Sequence, residues 1–75
     1  MSAAPRLRIL ADHLTRELRN KGGPISRSDA EKAVRKIVKG SFSKAQFEGA
    51  VALAAARGEI MREFGGTVMT GIQRS

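Results

Sequence analysis

The sequence predicts a mainly α-helical domain closed by a C-terminal β-hairpin. Three observations predict it: apolar stripes at spacings of three and four, serine capping boxes ahead of two of those stripes, and β-favouring runs on either side of Gly65-Gly66. Residues 1–5 are small and polar and read as a flexible N-terminus, residues 6–73 as one domain, and residues 74–75 as its C-terminal end. In the first helix, from Arg6, Leu7, Leu10, Leu14 and Leu18 form a stripe with Arg8, Asp12, Arg16 and Arg19 between them. Asn20-Lys21-Gly22-Gly23-Pro24 ends it, because glycine accepts the left-handed conformation of a helix terminus and proline cannot continue the ladder.

The second helix is expected to open at the capping box Ser28-Asp29-Ala30-Glu31 and to stop at Gly40. It buries Ala30, Ala33, Val34, Ile37 and Val38, and its cations Lys32, Arg35, Lys36 and Lys39, at i, i+3, i+4 and i+7, project to one opposite side. A second box, Ser43-Lys44-Ala45-Gln46, opens a third helix running to Arg57, with Phe42 placed to staple against Phe47 and with Phe47, Ala50, Val51 and Ala54 inward. Gly58 stops it. The hairpin takes Glu59–Phe64 and Thr67–Ile72 as its arms. A two-residue turn opposes Glu63 to Val68, a three-residue turn opposes Arg62 to Val68, and the irregular alternation leaves both registers open. Met61, Phe64 and Met69 read as packing residues, which if exposed would mark a dimer or partner surface.

Composition excludes whole classes of function. The chain has 75 residues, 14 basic against 7 acidic side chains for a net charge of +7, one histidine, and no Cys, Trp or Tyr. Disulfide scaffolds and zinc fingers are therefore excluded. There is no apolar run long enough to span a bilayer and no signal-peptide pattern in residues 1–10, so the expected location is cytoplasmic, nucleoid-associated in a bacterium, with no membrane partner. His13 and Glu17 lie one turn apart and could make half a metal site, which no second histidine or cysteine completes. No nucleophile set, carboxylate pair or P-loop is present, so neither enzyme activity, nor a cofactor, nor a small-molecule substrate is expected. The excess of positive charge points to an anionic partner, with duplex DNA foremost.

The order helix, helix, helix, hairpin, with two capped helices joined through Gly40–Phe42 and Gly58 leading into the Gly-Gly turn, resembles the winged helix-turn-helix DNA-binding domains. The resemblance spans Arg6 to Gln73. It implies a recognition helix at Lys44–Arg57, entering the major groove, and a wing tip at Phe64–Thr67, touching the backbone or the minor groove. Charge points the same way. Arg16, Arg19, Lys21, Arg27, Lys32, Arg35, Lys36, Lys39 and Lys44 face only Glu17, Asp29 and Glu31 over the same stretch. The expected DNA contacts are Arg27, Lys32, Arg35, Lys36, Lys39, Ser43, Lys44, Gln46, Glu48 and Arg62, serving a transcription regulator or an accessory DNA-binding factor.

The recognition helix departs from that pattern. Its outward strip, Ala45, Gly49, Ala52 and Ala56, carries no side chain able to read a base edge. A smooth strip could let the backbone approach a groove, form the docking face for a homodimer or protein partner in a larger nucleoprotein assembly, or reflect nothing beyond high helix propensity. All three stand open on the sequence.

Overall fold

A computed structural model describes residues 4–38 and 42–73. Three helices, α1 (Ala4–Lys21), α2 (Arg27–Ile37) and α3 (Lys44–Ala56), pack beside an antiparallel sheet of β1 (Ile25–Ser26), β2 (Ile60–Glu63) and β3 (Val68–Gly71), ordered β1-β3-β2. The leucine stripe of α1 supplies the centre of the core, where Leu10, Leu14 and Leu18 are buried against Ala30 and Val34 of α2, Phe47 and Val51 of α3, and Ile60 and Met69 of the sheet. The helix starts two residues earlier than expected. Pro5 thus falls in its first turn, where a missing N–H breaks no intrahelical bond.

β1 was not anticipated. It pairs Ile25 with Met69 and Ser26 with Val68, and so adds a strand to the expected hairpin. Ser26 then serves twice: it ends the strand and caps α2, accepting from the Asp29 amide at 3.1 Å, so the cap is Ser26 and not Ser28. Ser28 instead lies 3.3 Å from the Ser26 hydroxyl. Of the expected α2 core, Ala30 and Val34 are buried, Ala33 and Val38 are half-buried, and Ile37 is exposed. Gly40, the expected stop, and Ser41 lie outside the described residues.

α3 follows its sequence closely. Ser43 accepts from the Gln46 amide at 3.0 Å, and the Gln46 side chain accepts from the Ser43 amide at 2.8 Å, the reciprocal capping box. Phe42 stacks on Phe47 at a centroid distance of 6.2 Å. The four residues expected inward, Phe47, Ala50, Val51 and Ala54, are the four buried. At its C-terminus Gly58 takes φ 73°, its amide donates to the Ala55 carbonyl and the Glu59 amide to the Ala54 carbonyl, which is a Schellman closure.

The hairpin register opposes Glu63 to Val68 and Arg62 to Met69. Between the strands stands a tight apex, Phe64–Gly66, closed by Thr67, in which Phe64, Gly65 and Gly66 all have positive φ, at 54°, 66° and 87°. Glycine enters that region freely, whereas a side chain there is strained by about 1–2 kcal/mol. Met69 is buried as expected, but Met61 is 48% exposed and Phe64 78% exposed, so neither packs in the core. The far end of β3 presses on α1. A Cβ on buried Gly71 would sit 2.6 Å from the Arg19 nitrogen and 2.7 Å from the Leu18 carbonyl carbon, so only glycine lets strand and helix backbones meet.

Candidate nucleic-acid interface

The starts of α2 and α3 and the apex of the hairpin meet at Arg27. Its amide donates to the Thr67 carbonyl at 2.8 Å, its guanidinium lies 5.5 Å from the Phe47 ring centre, and it forms an ion pair with Glu48. Arg27 and Glu48, both expected to face DNA, are thereby spent largely on each other. Ser43 and Gln46 are likewise engaged in the capping box, which occupies two of the donors and acceptors that a ligand at the helix start would use.

Lys32, Arg35 and Lys36, the described cations of the α2 set, do not share one side. Arg35 turns toward α3: its Nε and Nη2 donate to Glu31 at 3.2 and 2.8 Å, its Nη1 donates to the Phe42 carbonyl at 3.1 Å, and its guanidinium stacks 4.2 Å over the Phe42 ring. That geometry makes Arg35 a clamp across the α2–α3 junction. Lys32 and Lys36 point the other way, into an open groove of about 610 Å³ shared with Lys21 and Glu17 of α1, Asp29, and the apolar side chains of Ile25, Ala33 and Ile37. The fourth cation, Lys39, lies outside the described residues. Lys44 is exposed at the start of α3 one turn before Glu48, and Arg62 is exposed on β2. Lys21, Lys32, Lys36, Lys44 and Arg62 make no ion pair with any described residue.

The outward strip of α3 is narrower than its spacing suggests. Ala45, Ala52 and Ala56 are exposed, but Gly49 faces α1, where a Cβ would come within 3.0 Å of Leu7 Cδ2. Close packing of α1 on α3 is the reason. Lys21, as a groove residue, was not among the expected contacts, and Phe64, at the expected wing tip, is exposed instead of packed.

A further polar cluster lies on the far side of α1. Thr15 donates to Glu59 at 3.0 Å, and Arg57 Nη2 bridges Glu59 at 2.9 Å and Asp12 at 2.7 Å. Partial burial raises the Glu59 carboxyl, but hydrogen bonds from Arg57 and Thr15 and the charges of Arg57 and Arg19 outweigh it, leaving the group below its ordinary value. Nearby, Arg19 Nε donates to the Ile72 carbonyl at 2.9 Å and the Gln73 amide donates to the Arg19 carbonyl at 2.9 Å, tying the chain beyond β3 to α1. Among the described residues no group of three or more His, Cys, Asp or Glu side chains could hold a metal ion, and no helix is long and apolar enough to cross a membrane. No protein-family model matches the chain, and no curated protein or solved structure matches it significantly.

Proposed function

We propose that the protein is a small duplex-DNA-binding module of winged-helix layout, acting as a transcription regulator or an accessory DNA-binding factor. The order α1-β1-α2-α3-β2-β3, with β3 central in the sheet, supports the layout more strongly than the hairpin alone would. The observation that carries the function is the separation of the cations. Arg27 and Arg35 hold the α2–α3–hairpin junction together, while Lys44 and Arg62, and on the α1 side of α2 Lys32 and Lys36, are exposed and pair with no described residue. Lysine and arginine side chains of that kind displace condensed counterions from DNA, which drives binding without regard to sequence.

Fluorescence anisotropy of a labelled random-sequence duplex across a salt series tests this. With Arg27 and Arg35 engaged internally, about four or five phosphates are contacted, and log affinity falls with log salt at a slope of about −4. Micromolar affinity with that slope supports the reading. A flat response, or a preference for a matched single-stranded RNA, contradicts it.

A second reading keeps the fold and makes α3 a docking face for a protein partner or a second copy. What favours it is the apolar character of α3 on its exposed side, at Ala45, Ala52 and Ala56. Ala52→Trp separates the two: duplex affinity kept while self-association or partner binding is lost supports docking, and impaired duplex binding with no other loss supports groove contact.

A further inference from the structure

We propose that Phe64 is a stacking wedge whose ring enters duplex DNA between adjacent base pairs; the proposal rests on the DNA-binding reading above. The ring is 78% exposed at the hairpin apex and belongs to no buried cluster. Its backbone lies at φ 54°, an outlier for a bulky residue. What holds the turn does not involve the ring. The Phe64 carbonyl accepts from the Thr67 amide at 3.3 Å and from the Thr67 hydroxyl at 2.8 Å, bonds that glycine or asparagine at position 64 would make with less strain. The bonds that close this apex therefore do not call for an aromatic side chain, which sits there strained and largely hydrated.

The apex is also placed for such a role. Thr67 carries the Arg27 amide on its carbonyl, and Arg27 reaches Glu48, with Lys44 one turn earlier on the same face of α3. Phosphate contact at Lys44 would bring the apex against the same duplex. Phenylalanine inserted between base steps unstacks and kinks DNA, and every base offers a face for the ring. Pyrimidine–purine steps open most readily, so a wedge selects sequences by deformability. That supplies what the strip Ala45, Ala52 and Ala56 lacks, a means of discrimination without base-edge hydrogen bonds.

The chain has no tryptophan, so Phe64→Trp introduces a single fluorophore at the apex. Titrated with a short duplex carrying central TA steps, its emission is quenched and saturates together with the anisotropy of the labelled duplex, and an A-tract duplex quenches it less. Phe64→Asn keeps or raises the melting temperature, binds duplex with an unchanged salt slope, and loses the preference for TA steps. Saturating anisotropy without quenching, or a TA preference retained by Phe64→Asn, overturns the wedge and leaves DNA binding standing. A lowered melting temperature for Phe64→Asn also overturns it, because the ring would then be a fold contact. Emission that brightens and shifts to the blue on anionic vesicles but ignores duplex overturns it in favour of a lipid contact. Absence of any duplex binding removes both proposals.

Discussion

The seam between α1 and the sheet and the outer surface of α2 and α3 use positive charge in opposite ways. At the seam, Arg19 bonds the Ile72 carbonyl and Arg57 bridges Asp12 and Glu59, while the junction arginines Arg27 and Arg35 are satisfied by Glu48, Glu31 and the Phe42 carbonyl. On the outer surface Lys32, Lys36 and Lys44, with Lys21 of α1 beside the α2 lysines, pair with no described residue. The guanidinium fork presents several donors in one plane and suits cross-linking of elements, whereas the ammonium group is a mobile point charge. The count of 14 basic side chains therefore overstates the cations free to meet a partner.

The largest break in this comparison comes from the seam. Gly71→Ala forces a methyl group onto the Leu18 and Arg19 backbone, and a loss of about 3 kcal/mol in urea unfolding is expected, equivalent to roughly 12–24 °C in melting temperature. A change below measurement error would show that strand and helix separate easily.

Capping gives a smaller, sharper effect. Ser43→Ala and Ser26→Ala each lower stability by about 1 kcal/mol, and Ser28→Ala changes it by only a few tenths, because Ser28 caps nothing. Equal losses at Ser26 and Ser28 in thermal melts would move the start of α2.

Acid weakens the seam next. Glu59 has a depressed carboxyl in the folded state, so its contribution is complete above its ordinary value of 4.5 and is lost as the pH falls through the lower folded value. Melting temperatures followed from pH 6 down to pH 3 should fall more steeply for the native chain than for Glu59→Gln. Parallel curves would remove Glu59 from the acid response.

The smallest effect on stability, and the largest on binding, belongs to the lysines. Lys32→Glu with Lys36→Glu leaves stability within about 0.5 kcal/mol, as expected for exposed charges. The same double variant lowers the duplex salt slope by about 2 in magnitude. Unchanged binding would remove the α2 lysines from the interface.

What the sequence revealed and what it concealed divide along physical lines. Local chemistry was legible: the Ser43–Gln46 box, the Phe42–Phe47 staple, the leucine stripe of α1 and the buried face of α3 all depend on neighbours within one or two turns. β1 was not legible, because two residues hold no periodicity and Ile25–Ser26 becomes a strand only through pairing with Val68 and Met69. The misplaced cap follows from it. Ser26 and Ser28 each precede an acid by three residues, and strand pairing decides between them. Charge spacing correctly placed cations on the exposed part of α2 but not their directions. Glu31 at i−4 from Arg35 was a readable signal for that ion pair, whereas the Phe42 carbonyl and ring that complete the clamp come from another element. Gly49 read as outward for the same reason, since Leu7 reaches it only through packing of α1 on α3.

The measurement that tests the division of charge most directly is the duplex salt slope of Lys36→Gln beside that of Arg35→Gln, each compared with the native chain. Loss of about 0.9 from the magnitude of the slope is predicted for Lys36→Gln. No loss is predicted for Arg35→Gln, whose effect appears in the melting temperature. A lowered slope for Arg35→Gln with none for Lys36→Gln, or the absence of duplex binding by the native chain, would contradict the account.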